Sequence, residues 1–347
     1  LESIDFSAGT VNVALIVTII LVIGVIFVNG WTDAPNAIAT AISTRVLKPK
    51  TAIRLAVVMN FLGALVMTLF NAEVAETISN IVTFGDDHTK AQVALAASLF
   101  AIVTWATAAW YFGIPTSESH ALIAGLTGAA MALSGLNAVN MNEWSKVLVG
   151  LVFSTLAGFF GGYFVVKMLA ILFRSVDRRK ANKFFSNGQA FGAAANAFLH
   201  GAQDGQKFMG VFMLGLSYNG FVQGTGGGFI IPIEVMAICS LIMGFGTSVG
   251  GMRIIKSVGM DMAKLETHQG FSADLSTAIV LLVCSLGGIP VSTTHTKTTA
   301  IMGVGAARRV SSVNWSIVKE MVLAWILTFP GCGLIAYLMA KFFLMIF

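Results

Sequence analysis

Charge is scarce in this chain: only 11% of its 347 residues are Asp, Glu, Lys or Arg, against about 25% in soluble domains. So few charges cannot clothe a water-soluble surface of this size, which argues against a soluble all-α protein with a large core. Cysteine is nearly absent. Cys239, Cys284 and Cys332 all fall in apolar stretches, which reads as packed small hydrophobes rather than disulfides or metal ligands. Long polar connections are missing as well: the largest, residues 174–187, covers 14 positions, little room for a receptor's loops. No G-x-G-D with P-A-L and no G-x-S-G is present, which argues against intramembrane aspartyl and rhomboid-like serine proteases. The chain is read as a non-enzyme. Its first apolar run lacks a basic n-region and an A-x-A-type site, so it is read as a retained span rather than a signal peptide.

Apolar sequence is what the chain has in quantity, at 56% of residues and a mean hydropathy of +0.83. Runs such as 11–28, 93–112 and 318–347 are long enough to cross a hydrocarbon core of roughly 30 Å. The net charge of +5 comes from basic clusters between those runs, at 45–54, 174–183, 253–264 and 308–309. That distribution reads as membrane topology and not as a nucleic-acid surface. The acidic or neutral connections are Glu2 with Asp5, residues 85–87 and residues 218–228. By the positive-inside rule the basic clusters are cytoplasmic and both termini lie outside, in a multi-pass protein of the cell (inner) membrane.

Span parity supports that assignment. Apolar segments fall near 10–44, 51–73, 92–112, 116–134 and 146–173, then near 188–217, 228–248, 272–289, 291–306 and 315–345. Five crossings per half make the halves inverted with respect to each other, as in many secondary transporters. The expected fold is all-α and polytopic, with about 10–12 transmembrane helices including broken or re-entrant ones. A first inverted repeat spans 1–173, a basic cytoplasmic loop 174–187, and a second repeat 188–347.

The repeat is visible in the letters. Asn29-Gly30-Trp31-Thr32-Asp33-Ala34-Pro35-Asn36 has a partner in His200-Gly201-Ala202-Gln203-Asp204-Gly205-Gln206-Lys207. Gly113-Ile114-Pro115-Thr116-Ser117-Glu118-Ser119-His120 has one in Gly288-Ile289-Pro290-Val291-Ser292-Thr293-Thr294-His295. The Asp-to-His separation is 87 residues in the first half and 91 in the second.

Each Pro-x-Ser-x-Ser/Thr-His run reads as a helix start, with Pro in the first turn and hydroxyls on free N–H groups. Two such ends inside a membrane, with Thr116, Ser117, Ser119, Ser292, Thr293 and Thr294, make a donor-rich pocket for an oxyanion. Asp33 and Asp204 would repel that anion, and each costs roughly 2.5–3.5 kcal/mol at a membrane helix centre. Bound cations resolve both problems: Na⁺ on carboxylate and main-chain oxygens of an unwound helix, or H⁺ on the carboxyl. Gly30, Pro35, Gly201 and Gly205 flank the acids, as unwinding requires. Importing a dianion against 100 mV costs about 4.6 kcal/mol, so at least two monovalent cations are needed to cancel that term. Lys207, at the position of Asn36 in the other copy, either offers charge to the anion or pairs with Asp204. Glu118 is a cation ligand or proton site. His120, His295 and His200 are expected to position the loops.

These four motifs resemble the inorganic phosphate transporter (PiT) family, which includes sodium–phosphate symporters, along almost the whole chain. The family pattern reads roughly N-G-A-N-D-x-x-N-A, then H-G-x-N-D, with G-x-P-x-S-x-T-H in both halves. Thr32 and Gln203 replace its Asn, Trp31 a small residue, and Glu118 a Ser or Thr; Gln206-Lys207 resembles the bacterial branch. The resemblance implies import of inorganic phosphate with sodium ions as co-transported ligands and no cofactor. It implies phosphate held by Thr116, Ser117, Ser119, Ser292, Thr293, Thr294, Asn36, Gln206 and Lys207. Sodium is placed at Asp33, Asp204, Asn29, Thr32, Gln203 and Glu118. Proton coupling, and metal-phosphate or sulfate as cargo, occur within the same family. A passive anion channel is the alternative from another class, although carboxylates beside its pore would be counterproductive. A homodimer in the lipid bilayer is implied by the same analogy, and no nucleic acid.

Overall fold

The computed structural model describes residues 4, 9, 11–222 and 229–346, so Glu2, Asp5 and part of the 218–228 connection lie outside the described residues. Every apolar segment of the sequence is helical. The first half runs α1 (Val13–Thr32), α2 (Pro35–Ser43), α3 (Pro49–Phe70), α4 (Glu73–Ser79), α5 (His88–Phe112), α6 (Glu118–Ser134) and α7 (Met141–Leu172). The second runs α8 (Arg178–His200), α9 (Gln206–Ser217), α10 (Ile233–Val249), α11 (Met252–Lys256), α12 (Thr267–Leu286), α13 (Thr293–Arg308) and α14 (Trp315–Ile346). Long and short helices thus recur in one order, and α7 and α14 are both 32 residues long.

Seven helical stretches among the described residues are long and apolar enough to cross a membrane, and Ile233–Val249 with Met252–Asp261, bent by 65°, passes the same test only as a pair, as a broken span or a re-entrant loop. The remaining segments fall short for stated reasons. Arg178, Arg179, Lys180 and Lys183 occupy the first turns of α8, and α13 is 16 residues long with Lys297 and five threonines. α7 and α14 present rows of exposed apolar side chains, among them Val152, Leu156, Phe160, Leu323, Ile326 and Leu334, suited to lipid tails. The protein is an all-α, multi-pass membrane protein.

Helices cross without the help of the hydrophobic effect in lipid, so close approach depends on small residues. α6 meets α14 at Gly128, where a Cβ would lie 2.1 Å from the Gly333 carbonyl oxygen. α13 meets α7 at Gly303, where it would lie 1.9 Å from that of Phe159. Each short motif-bearing helix is therefore clasped by one long outer helix.

The two Asp-bearing segments are interrupted differently. Pro35 has no N–H to donate, and the chain breaks between α1 and α2 at Asp33 and Ala34. The aligned residue in the second copy is Gln206, which keeps its N–H. The ladder there widens into a π-helical turn over Gly201–Gly205 and carries on into α9. The unwinding expected at Asp204 is thus a bulge within a continuous helix.

Candidate functional site

The two Pro-x-Ser turns meet. Ser117 caps α6 by accepting from the His120 N–H at 3.2 Å, and Ser292 caps α13 from His295 at the same distance. The rings of His120 and His295 pack edge to face with centroids 4.4 Å apart, braced by Phe329 at 4.7 Å and Trp325 at 3.7 Å. Trp325 also donates to the Pro115 carbonyl at 3.2 Å. The two histidines thus lie where the turns meet.

Beneath the turns lie the acids, each bonded to the opposite half. Thr294 donates to Asp33 Oδ1, and Asn36 Nδ2 donates to the same oxygen at 2.7 Å. Asp204 Oδ1 accepts from Lys207 at 2.6 Å and from Ser119 at 3.4 Å. Its Oδ2 accepts from Asn29 at 3.3 Å and Thr293 at 3.3 Å, with His200 Nε2 also 3.3 Å away. His200 is held from behind by Asn60 at 2.7 Å. Glu118 is buried and accepts from Thr32. Ligand atoms of Asp33, His200 and Asp204 lie within 4.8 Å of one another.

Lys207 is fully committed to protein acceptors in this structure. Its three N–H bonds go to Asp204 Oδ1, Ser119 Oγ at 2.7 Å and the Val291 carbonyl at 2.5 Å, so here it is the partner of Asp204. By contrast, Asn29 Oδ1, Asp33 Oδ2, Asn36 Oδ1 and Glu118 Oε2 are buried acceptors with no donor among the described residues. Buried oxygens without donors cost free energy unless something positive meets them.

Three expected site residues point elsewhere. Thr116 is only partly buried and lines an outer groove with Phe112, Glu320 and Leu323. Gln206 donates to the Asn71 carbonyl at 2.6 Å, toward the end of α3. Gln203 is occupied in bracing the second turn, through Ser285 at 3.0 Å, Ile289 at 3.3 Å and Val291 at 3.4 Å. Trp31 leaves the site altogether and packs on Trp110 at 4.2 Å, which accounts for a bulky residue at that position.

A second buried charge pair, Asp274 with Lys297, lies outside the repeated motifs, together with Thr40, which donates to Asp274 at 2.6 Å. The signal was available: both charges fall inside segments that were read as membrane spans, where ionisable groups are costly.

A multi-pass helical bundle that gathers buried carboxylates, amides and hydroxyls where two helix starts converge is a membrane transporter. The chain belongs to the phosphate transporter family, whose sequence profile matches residues 29–177 and 171–336. A "Probable low-affinity inorganic phosphate transporter" of Bacillus subtilis (strain 168) is 38% identical over 332 residues, covering 94% of this chain and 98% of that protein. One of the same description from Rhizobium meliloti (strain 1021) is 38% identical over 312 residues, covering 90% and 91%. A solved structure, "The sodium-dependent phosphate transporter", shares the fold with a TM-score of 0.87 over 97% of this chain and 100% of that one, at 22% identity.

Proposed function

We propose that the protein imports inorganic phosphate together with sodium ions, by alternating access of two inverted repeats, 1–173 and 188–347, joined by the basic loop 174–187. One observation carries the cation half of this reading: Asp33 and Asp204 offer ligand atoms within 4.8 Å of each other beside four buried oxygens that lack donors. Two carboxylates at that spacing repel by about 3 kcal/mol at an effective dielectric of about 20. If all ionise, Asp33, Asp204 and Glu118 against Lys207 leave the site with two uncompensated negative charges. No phosphate joins such a site unless about two cations arrive with it, the same number required by the membrane voltage. Asp33, Glu118, Asn29 and Asn36 are the sodium oxygens in this account, with Asp204 shared between sodium and Lys207.

The anion half rests on the hydroxyls of Ser119, Thr293 and Thr294 at the converging starts of α6 and α13. There the first-turn N–H groups and the positive helix ends favour an oxyanion. Ser117 and Ser292 act as caps that shape those ends. In this reading the basic face is cytoplasmic and both termini are outside. A homodimer is the expected assembly, tested by cross-linking in lipid.

Purified protein in liposomes is expected to accumulate labelled phosphate when a sodium gradient is imposed. Equal accumulation under a proton gradient without sodium would contradict sodium coupling, and uptake indifferent to any cation gradient would favour a channel. Competition by sulfate reads the selectivity of the same site.

A further inference from the structure

The two halves diverge one helical turn beyond the central site. Lys297, one turn after Thr294 on α13, is buried and ion-paired with buried Asp274 of α12. Thr40, one turn after Asn36 on α2, donates to the same carboxylate oxygen at 2.6 Å, and Lys297 Nζ reaches the Ala37 carbonyl at 3.5 Å. Asp33 and Asp204 are 171 positions apart, and His120 and His295 are 175 apart. At those offsets Thr40, Asp274 and Lys297 correspond to Val211, Leu99 and Leu122, all buried in the largest apolar cluster. Packing follows the same correspondence: Gly215 approaches Leu95 as Thr44 approaches Gly270.

The same architecture is therefore satisfied in the first half by a valine and two leucines. A buried ion pair is weak support for stability beside apolar side chains of similar volume. The fold alone supplies no reason for Asp274 and Lys297, and charges within membrane helices mark ion paths. Their place agrees. Gln189 of α8 packs on α12 at Gly270 and accepts from Thr44 at 3.0 Å. Thr44, with Arg45, Arg178 and His268, lines a cavity of about 480 Å³ at the basic face. Polar groups thus line the way from that cavity, through Thr44 and Gln189, to Thr40, Asp274 and Lys297, one turn from Asn36 and Thr294. In the direction related by the repeat the corresponding layer is Val211, Leu99 and Leu122.

We propose that Lys297 is a second phosphate-binding residue, a relay between the central site and the basic-face cavity, closed in this structure by Asp274. This rests on the phosphate reading above. A phosphate leaving Thr294 meets the ammonium one turn away and takes the place of Asp274 on it. Exchanging one oxyanion for another keeps the lysine paired throughout, and the displaced Asp274 carboxylate keeps the Thr40 hydroxyl as its donor.

The test uses the full chain with two readouts, saturation binding of labelled phosphate in sodium and uptake into liposomes. The triple variant T40V/D274L/K297L copies the apolar layer of the first half. It is expected to bind phosphate within about threefold of wild type while uptake falls by about tenfold or more. Should that variant not be recovered folded, D274N/K297Q carries the same expectation. Asp274→Asn alone leaves Lys297 to phosphate, so bound phosphate rises from one toward two per chain, and adding K297Q removes the second. Wild-type uptake in the apolar variant, joint loss of binding and uptake in D274N/K297Q, or no second phosphate in D274N would each overturn the relay. Failure of the phosphate reading is distinct: wild-type protein would then show neither binding nor uptake.

Discussion

Thr294, at the start of α13, donates its hydroxyl hydrogen to Asp33, at the break between α1 and α2, although 261 residues separate them. The mirror contact joins Ser119 to Asp204 at 3.4 Å. Each acid is thus read by the helix start of the other half, which couples the anion-binding ends to the carboxylates. A cation arriving at one carboxylate and an anion arriving at the opposite helix start meet across that bond.

Removing one of these hydroxyls should therefore affect sodium as well as phosphate. Thr294→Val leaves Asp33 with Asn36 as its sole donor and removes a hydrogen bond to a charged group, typically about 1.5–3 kcal/mol. Uptake at limiting sodium is expected to fall by about tenfold or more, with a higher sodium concentration for half-maximal rate. Thr116→Val, on the outer groove, is expected to stay near the wild-type rate. Equal effects of the two variants would contradict the placement of Thr294 in the site.

The acids should differ in what they do for stability. Asp204→Ala strands the Lys207 ammonium, which is buried at 0% exposure, and loss of one partner of such a pair costs about 3–5 kcal/mol. Asp33 has no ion-pair partner among the described residues, so Asp33→Asn is expected to lower the unfolding temperature in detergent much less. A larger loss for D33N than for D204A would reverse the account of Lys207.

The helix crossings make a prediction that does not involve the site's chemistry. Gly303→Val drives side-chain carbons into the Phe159 carbonyl, and overpacking of this kind costs about 1–3 kcal/mol or more. Gly128→Val should do the same against Gly333. Gly24→Ala is the control, since its nearest neighbour is Val103 at 4.0 Å. Thermal unfolding of the purified variants separates them, and a stable G303V would show that α13 is free to move off α7.

Much of this is legible in the sequence. Apolar runs located every helix but the short α4 and α11, because a membrane demands length and hydrophobicity at once, and the repeated letters picked out Asp33, Asp204, His120 and His295, which the fold brings together. What failed was direction. A Pro-Thr-Ser turn states that hydroxyls cluster but not which one faces inward, so Thr116 and Ser117 read alike although one faces a groove and the other caps a helix. Gln206 aligned with Pro35, yet the consequence for the backbone, a π turn in place of a break, depends on an N–H that the motif pattern ignores. Asp274 and Lys297 escaped notice because they lie 23 residues apart on different helices and belong to neither repeated motif.

The central claim is that phosphate enters only with cations held at Asp33 and Asp204. Its most direct measurement counts radiolabelled sodium and radiolabelled phosphate in the same liposomes, for wild type and for Asp33→Asn. The account predicts about two sodium ions entering per phosphate, as voltage and site charge both require, and loss of sodium-dependent phosphate entry in Asp33→Asn. Phosphate entering without sodium, or a ratio and rate unchanged by Asp33→Asn, would contradict it.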